Sequence, residues 1–352
     1  MTKLIVVCGV TGNQGRSVAE TYLKEAGWRV RGITRDATKP ASLALAAKGV
    51  EIVAGDLDNV ESLKAALQGA NIVFGNTVFP FRLALTSNPQ LKPGQSILEW
   101  AYELEVQQGK NLVEAVAKLD SLQLFIWSTL SATRKWSSGK FQNVFHFDSK
   151  AAVVDHVRIH FPDLYKKTSM LQLGLFMTNW KFGPVNIPWV KRRDGTMVLR
   201  MPGELKYPIP HVLVQETGKY VKALAQASPG SHLLACSEFL TWPDYVSLWS
   251  RMTGVPAVFE SITMDDMDKL APGGFGLEIG EMHAYSMEFG YWGNDPSVIY
   301  PEQVGALWLR FPNETKLTVI TIQLGLKGEL TTIANYIKGE DWSELLGRPA
   351  MD

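Results

Sequence analysis

A strand that breaks into three spaced glycines, close to the start of the chain, constrains the fold more than any other stretch. An apolar run from position 3 ends at Gly9, and Gly12 and Gly15 follow at intervals of three residues. Glycine takes backbone angles closed to other residues and has no Cβ, so the main chain can turn tightly and approach a pyrophosphate. The free N–H groups and dipole of the next helix favour the same anion. The predicted contacts of a dinucleotide pyrophosphate are Gly9, Thr11, Gly12, Asn13, Gln14 and Gly15.

Apolar runs alternate with stretches of helical spacing over the first half of the chain. Strands are predicted at positions 3–9, 28–34, 50–54, 70–74 and 122–127, with helical patterns between them. This alternation is typical of β-α-β units with right-handed crossovers and a parallel sheet. We therefore predict an α/β fold, in which a doubly wound parallel sheet of the Rossmann type is followed by a smaller, irregular α+β substrate lobe.

The predicted dinucleotide-binding domain covers residues 1–170, and part of residues 171–235 completes its sheet. Residues 171–352, which are richer in proline and aromatic residues, are predicted to form mainly a substrate or partner lobe with helices at 282–288 and 301–308. Phe176, Trp180 and Tyr291 can line an apolar pocket for an aromatic substrate. Packing of a core explains these large side chains equally well, and both interpretations stay open.

Parallel strands end at one edge of their sheet, where ligands bind near the point at which the strand order reverses. Asp56, Asn76 and Thr77 follow predicted strands and are expected at the nucleotide, with Asp56 beside the adenine. The turn after the second strand is expected to meet the adenosine ribose. Arg35 and Lys39 lie there and suit a 2′-phosphate, whereas an acidic residue between them suits the 2′-hydroxyl of NAD. We predict NADP, with NAD as the alternative.

The charge balance excludes a strong attraction to nucleic acid or to an anionic membrane. Thirty-five basic and thirty-five acidic residues cancel, and 46% of the chain is hydrophobic. No apolar stretch is long enough to span a bilayer, and the first apolar run is too short for a signal peptide. Two cysteines, Cys8 and Cys236, indicate a reducing compartment. We therefore expect a cytoplasmic protein that binds a small-molecule substrate and neither nucleic acid nor membrane.

Two other chemistries are not expected. His156 and His160 stand four residues apart on a predicted helix, but the H-E-x-x-H pattern and a third ligand are missing, so no metal site is predicted. The chain has no G-x-S-x-G elbow for a serine hydrolase. Ser128, which follows the fifth predicted strand, is expected either to contact cofactor or substrate or to act as a structural cap.

Together these landmarks resemble the NmrA-like branch of the atypical short-chain dehydrogenases/reductases. The resemblance is good over about residues 1–180 and rests on the combination of motifs, because the glycine turn is common to the whole superfamily. The motifs are the glycine turn, Thr34-Arg35, Gly55-Asp56, Trp127-Ser128, His146-Phe147-Asp148-Ser149-Lys150 and Phe289-Gly290-Tyr291-Trp292-Gly293.

The resemblance implies a nicotinamide cofactor and a candidate catalytic pair. Active relatives place a tyrosine four residues before a lysine, where it gives a proton to the carbonyl that receives hydride. Here that position is His146, and an imidazole can also act as an acid near neutral pH. His146 is therefore either the catalytic acid or a loop histidine that meets no substrate. Lys150 is the second catalytic candidate and the expected contact of the nicotinamide ribose. From the sequence pattern alone, Asp148 is predicted to cap the helix that follows Asp148.

The branch contains reductases of biosynthetic pathways, including secondary metabolism, as well as redox-sensing regulators. We predict an NADP-dependent reductase that acts on a carbonyl or activated double bond of a small, apolar or aromatic molecule. In that case the hydride chemistry belongs to the cofactor, and the protein supplies orientation and electrostatics. The alternative hypothesis is a non-catalytic sensor of NADP(H) that acts through a protein partner. A third hypothesis is a non-redox catalyst on the same scaffold.

Overall fold

A parallel sheet of eight strands forms the centre of the molecule. The computed structural model describes residues 2–81, 84, 89–183, 185–299, 326 and 330–350. Numbered along the chain, the described strands are β1 (Lys3–Cys8), β2 (Trp28–Thr34), β3 (Glu51–Ala54), β4 (Ile72–Gly75), β5 (Leu124–Thr129), β6 (Thr168–Leu173), β7 (Leu175–Phe176), β8 (Trp189–Lys191), β9 (Met197–Met201), β10 (Ile209–Val212), β11 (His232–Ala235), β12 (Glu238–Leu240), β13 (Ala257–Ser261) and β14 (Val298–Ile299).

The strand order of the large sheet reverses beside β1. The order is β14-β11-β6-β5-β4-β1-β2-β3, and every neighbouring pair is parallel. The chain runs outward from β1 to β3 and then returns to start β4 on the other side of β1. The predicted doubly wound parallel sheet of the Rossmann type is therefore confirmed. In such sheets ligands bind outside the carboxyl ends of the strands, where the order reverses between β1 and β4.

Helices cover both faces of the large sheet. The described helices are α1 (Asn13–Tyr22), α2 (Pro40–Ala47), α3 (Val60–Leu67), α4 (Ile97–Val116), α5 (Thr133–Trp136), α6 (Phe145–His160), α7 (Pro162–Tyr165), α8 (Thr217–Gln226), α9 (Trp242–Thr253), α10 (Met264–Asp268), α11 (Phe275–Phe289), α12 (Ile333–Gly339) and α13 (Ser343–Leu346). Helices α1 and α8 pack on one face, and α3, α4 and α6 pack on the other. Covered on both sides, β5 and β6 are buried along their whole length. Within the described ranges, no helix is long and apolar enough to cross a bilayer.

A second core lies outside the large sheet, in the C-terminal half of the chain. Two three-stranded sheets, ordered β12-β10-β7 and β13-β9-β8, each combine one parallel and one antiparallel pair. The predicted smaller α+β part is therefore confirmed. The helix predicted at 282–288 lies within α11, and the one predicted at 301–308 falls outside the described residues. Tryptophan side chains fill much of this core, namely Trp180, Trp189, Trp242, Trp249, Trp292 and Trp342.

Helix α6 begins before the position at which a cap was predicted. It starts at Phe145, and the preceding Val144 makes no side-chain capping bond. The carboxylate of Asp148 lies in the first turn and accepts hydrogen bonds from Thr133 Oγ1 at 2.9 Å and from the N–H of Arg134 at 3.3 Å. The predicted cap at Asp148 is therefore wrong, because this carboxylate ties α6 to α5. As a result, position 146 belongs to the helix and not to a loop.

Candidate functional site

The glycine turn between β1 and α1 has the geometry of an anion cradle. Gly9 lies in the left-handed region at φ +62°, and the N–H of Gly12 donates to its carbonyl oxygen at 2.9 Å. A Cβ at Gly15 would stand 2.8 Å from the carbonyl carbon of Gly9, so glycine is what lets α1 start this close to the strand. No described side chain caps α1, and no acidic residue lies in its first turn. The first N–H groups of the helix are therefore available to an anion.

The other predicted residues of this turn lie around the start of α1. Thr11 is half-buried, and Asn13 is exposed as the first residue of the helix. The amide oxygen of Gln14 accepts a hydrogen bond from Ser128 Oγ at 2.8 Å. Ser128 is buried at the carboxyl end of β5. The structure thus brings the end of β5 to the glycine turn and gives the Ser128 hydroxyl a partner within the protein.

The turn after β2 presents two cationic side chains to solvent. Arg35 and Lys39 are both exposed. The acid between them, Asp36, is used inside the turn, where its Oδ1 accepts bonds from the N–H and the hydroxyl of Thr38 at 2.9 and 2.6 Å. Both bonds lower the pKa of Asp36. This arrangement suits a ribose 2′-phosphate better than a 2′-hydroxyl.

The turns after β3 and β4 position two further predicted residues. Asp56 is half-buried, its N–H donates to Ser62 Oγ at 3.0 Å, and its Oδ1 accepts from the N–H of Asp58 at 3.1 Å. Asn76 is buried, and its Oδ1 lies 3.7 Å from the point that a Cβ of Gly9 would occupy. The turns after β1 and β4 therefore meet at the point where the strand order reverses.

Lys150 is held in a buried network that joins α6 to α4 and to the end of β4. Its ammonium donates to the carbonyl oxygen and the hydroxyl of Thr77 at 2.9 and 3.2 Å and to Glu105 Oε1 at 2.6 Å. The other oxygen of Glu105 accepts a bond from Ser149 Oγ. The Glu105 side chain is fully buried. Because an ammonium has three protons, a contact with a ribose requires that one of these bonds, the longest being to Thr77 Oγ1, is given up.

His146 lies one helical turn before Lys150 and pairs with Glu278 of α11. Its Nδ1 and its backbone N–H both bond Glu278 Oε1, the second at 3.1 Å. The Glu278 side chain is fully buried, while 15% of the His146 side chain is exposed. Among the described residues, none forms a hydrogen bond with His146 Nε2 or with Glu278 Oε2. The pair combines an oriented imidazole with a buried carboxylate, which are components of acid–base catalysis.

Aromatic rings surround this imidazole. Phe79 and Phe81, from the segment after β4, have ring centroids 6.2 and 5.5 Å from that of His146. The ring centroid of Phe275, the first residue of α11, lies 5.9 Å from that of Phe81. Val78, which precedes these rings, is 77% exposed. The rings of Phe79, Phe81 and Phe275 therefore form an apolar cluster beside the histidine, and the polar residues Asn76 and Thr77 connect it to the glycine turn.

The three aromatic residues predicted to contact substrate lie in different surroundings. Trp180 is buried in the second core, where its ring stacks on Trp342 at 4.6 Å. Tyr291 is buried against Phe147 at 5.1 Å, and Phe176 is half-buried in β7. Core packing accounts for Trp180, and the role of all three side chains toward a substrate stays a prediction.

Sequence reasoning missed the two fully buried glutamates that pair with Lys150 and His146. Glu105 lies on the buried face of α4, four residues after Ala101 and four before Gly109. Glu278 interrupts the apolar start of α11 next to Ile279. An acidic residue on an apolar stripe is the signal that could have found both, because an unpaired carboxylate is costly to bury.

The paired histidines on α6 lie at the surface. The rings of His156 and His160 are 4.8 Å apart, centroid to centroid. In the part of the chain that the structure describes, no group of three or more histidine, cysteine, aspartate or glutamate side chains is placed to hold a metal ion.

The model of the NmrA-like family matches residues 1–316 of the chain. Among curated relatives, the NmrA-like family domain-containing oxidoreductase hkm9 of Aspergillus hancockii is 25% identical over 271 residues, which are 74% of this chain and 76% of the relative. Among solved structures, the negative transcriptional regulator NmrA in complex with NAD gives a TM-score of 0.70 at 18% identity, over 96% of this chain and 95% of that one. NmrA has also been solved in complex with NADP.

A second solved structure is the NADPH-dependent quinone oxidoreductase QOR2 of Escherichia coli, complexed with NADPH. Its TM-score is 0.61 at 14% identity, over 95% of this chain and 98% of that one. Likeness at this identity shows the shared fold, whereas the family model, which matches most of the chain, shows the family. The chain belongs to the NmrA-like family.

Proposed function

We propose that this protein is an NADPH-dependent reductase of a carbonyl or activated double bond in a small, apolar or aromatic molecule. The observation that carries the proposal is the continuity of the crevice. Asn76 meets the glycine turn, and the next residue, Thr77, binds Lys150, which lies one helical turn from His146. A phosphate cradle and a protonatable imidazole therefore share the carboxyl edge of one sheet, as hydride transfer with proton transfer requires.

The residues around the glycine turn fit a nicotinamide dinucleotide. Gly9 and Gly15 leave the space that a Cβ would fill, and the start of α1 is open to a pyrophosphate. Arg35 would hold the 2′-phosphate, Asp56 the adenine and Lys150 the nicotinamide ribose. The nucleotides in the NmrA and QOR2 structures support this assignment.

The chain itself would supply orientation and an apolar surface for the chemistry. When bound, the cofactor provides a hydride to the substrate. The rings of Phe79, Phe81 and Phe275 would hold an apolar substrate beside His146 and keep water from it. Electrostatic effects of charged groups are stronger where water is excluded.

A sensor of NADP(H) is the second candidate, and the network of Lys150 favours it. All three protons of this ammonium are engaged within the protein, and His146 replaces the tyrosine of active relatives. Under this hypothesis, the protein binds the nucleotide without turnover and acts on a protein partner.

Titration with NADPH and NADH tests the cofactor. We expect tighter binding of NADPH, and we expect Arg35→Ala to weaken it by about 10- to 100-fold with little effect on NADH, because a hydrogen bond between charged groups is lost. The control is Arg29→Ala, since this exposed arginine lies at the other end of β2 from the Arg35 turn and pairs with Glu51 at 2.9 Å. Equal weakening of both nucleotides by Arg35→Ala would contradict the 2′-phosphate contact.

NADPH oxidation, followed by absorbance, separates the two functions. Nitrobenzaldehyde and phenanthrenequinone serve as aromatic carbonyl probes. Oxidation that depends on either probe supports the reductase. Tight NADPH binding without oxidation favours the sensor, and failure to bind either nucleotide contradicts both functions.

A further inference from the structure

The pair of His146 and Glu278 offers more than a connection between α6 and α11. We propose that Glu278 is the positioning residue of a proton-donating dyad. Its carboxylate fixes the His146 ring and carries the charge opposite to the imidazolium, so that Nε2–H protonates the oxygen of a substrate carbonyl. This inference rests on the reductase function proposed above and deepens it, because it names the proton source and selects carbonyl substrates.

Glu278 is a buried carboxylate whose charge needs a partner. Its side chain has no exposed surface, and Oε1 accepts a hydrogen bond from the backbone N–H of His146 and bonds the Nδ1 of its ring. Oε2 has no hydrogen-bond partner among the described residues. A buried carboxylate without a cation is strongly disfavoured, and an imidazolium is the cation that this site offers. Glu278 also lies in the first turn of α11, where the helix dipole favours a negative charge.

The neighbouring titratable groups of α11 are engaged with other partners. Both oxygens of Glu281 accept bonds from Asn143, from its N–H and from its Nδ2, each at 2.7 Å. Nε2 of His283 bonds the carbonyl oxygen of Asn186 at 2.8 Å. Burial lowers the pKa of His283 to about 4, so this ring is neutral at pH 7. The charge of the Lys150 ammonium is likewise matched by Glu105. The Glu278 carboxylate therefore depends on the His146 imidazole for its partner.

The other nitrogen of the imidazole faces away from the carboxylate. With Nδ1 bonded to Glu278, Nε2 lies on the opposite side of the ring and has no bond to a described residue. The ring is partly exposed and stands beside Phe79 and Phe81. A carboxylate at Nδ1 keeps a proton there, so Nε2–H is the proton that an imidazolium can give to an acceptor in the crevice.

The proposed step balances as a carbonyl reduction. The carbonyl carbon receives the hydride that NADPH supplies, and the π electron pair of the C=O bond moves to the oxygen. The oxygen takes the proton from His146 Nε2, so an alcohol and NADP⁺ result. The imidazole is left neutral, with its Nδ1–H still bonded to Glu278, and a proton from water restores the imidazolium.

Steady-state kinetics of the full chain with NADPH and nitrobenzaldehyde test the dyad. We expect His146→Asn to lower kcat by about 10²- to 10⁴-fold, and imidazole in the buffer to restore part of the activity of His146→Gly. Glu278→Gln keeps an acceptor oxygen but removes the charge, and we expect it to lower kcat by about 10- to 100-fold. The KM of the aldehyde and the Kd of NADPH should stay unchanged in each variant.

A neighbouring glutamate provides the matched control. Glu281 is also buried on α11, and it also ties this helix to the start of α6 through two bonds. Glu281→Gln should therefore leave kcat unchanged if the chemistry depends on the dyad. An equal loss of kcat in Glu281→Gln and Glu278→Gln would overturn the proposal, since a structural tie alone would explain it.

Nitrogen NMR of the histidines, measured without cofactor, gives a readout that is independent of turnover. The wild-type protein and Glu281→Gln should show a proton held on Nδ1 of His146, and Glu278→Ala should lose it. A proton found on Nε2 alone overturns the dyad. Turnover by the wild type with unchanged kcat in Glu278→Gln overturns the dyad and leaves the reductase standing. Absence of turnover with every carbonyl probe overturns both.

Discussion

Lys150 joins three parts of the fold through its pair with Glu105 and its bonds to Thr77. A buried ion pair adds little net stability, because the loss of hydration offsets the attraction between the charges. Removal of one partner is strongly destabilising, since the other charge is then buried without compensation. At the residue scale, this lysine is therefore as much a part of the structure as of the candidate site.

Lys150→Met tests this structural role. We expect it to lower the free energy of unfolding in urea by about 3–5 kcal/mol, because Glu105 loses its cation. The double variant with Glu105→Gln should recover most of the loss. The exposed pair of Lys166 and Asp163, at 2.8 Å, provides the control, and Lys166→Met should change stability by less than about 1 kcal/mol. Equal losses in Lys150→Met and Lys166→Met would show that burial of the pair does not matter.

Sequence predicts residues well where their partners are local and poorly where they are distant. The glycine turn depends on backbone conformation within a few residues, so Gly9 and Gly15 could be placed in advance. Glu105 and Glu278 could not, because their partners lie 45 and 132 residues away along the chain. Only the folded chain shows that each of these two acids has a basic side chain beside it.

The close contact between α4 and α6 sets the geometry of the site at the scale of elements. Gly109 of α4 faces Val153 of α6, and a Cβ at position 109 would collide with Cγ2 of this valine and lie 3.2 Å from its Cγ1. The absence of a side chain brings the two helices together. Glu105 and Lys150, which lie on the same two helices, are thereby held within hydrogen-bond distance.

Gly109→Ala tests this helix contact. The new methyl group should push the helices apart and lower the free energy of unfolding by about 1–3 kcal/mol, as overpacking of a core does. The double variant Gly109→Ala/Val153→Ala should recover much of the lost free energy of unfolding, because the smaller side chain at position 153 leaves room for the new methyl group. Gly339→Ala is the control, because no described atom lies within 4 Å of a Cβ at the last residue of α12. Thermal unfolding of the three variants and the wild type measures these effects, and a Gly109→Ala variant as stable as the wild type would contradict the contact.

The start of α6 shows why one element was predicted incorrectly. Asp148 looks like a cap, but its carboxylate bonds α5, and the helix starts earlier without a side-chain cap. Capping preferences describe local bonds, and a partner from another element changes them. The error matters for function, since a helix capped at Asp148 would leave His146 outside it, whereas the residue lies in the first turn of α6.

Two buried histidines and a third, half-buried one make the stability of the whole molecule sensitive to acid. Burial lowers the pKa of His211, His232 and His283 to about 4 in each case, below the usual value of 6.5. The unfolded chain therefore binds more protons than the folded one between these pH values. We expect full stability above pH 6.5 and a progressive loss as the pH falls toward 4, with a slope of up to about 1.4 kcal/mol per pH unit for each histidine.

Urea unfolding at several pH values between 7.5 and 4.5 measures this slope. His211→Gln should reduce this slope by up to about 1.4 kcal/mol per pH unit, which corresponds to one proton, whatever the variant does to stability at neutral pH. A slope that is insensitive to His211→Gln would show that this residue is not buried in its neutral form.

The large sheet of the molecule was predictable, and the arrangement of the second core was not. Parallel strands covered on both faces give continuous apolar runs with helices between them, a pattern that the sequence shows directly. The second core consists of short strands and aromatic contacts between distant segments, such as the stack of Trp180 on Trp342. Contacts of this kind leave no periodic pattern in the chain.

The order of strands in the large sheet also has a consequence for synthesis. β6 is complete at residue 173, yet its outer neighbour β11 is made some sixty residues later, and β14 later still. While the chain grows on the ribosome, the unpaired backbone groups of β6 form an open edge that can pair with another strand. This edge closes only after β7 to β10 and then β11 have been translated, so the nascent chain exposes the unpaired edge of a central strand until then.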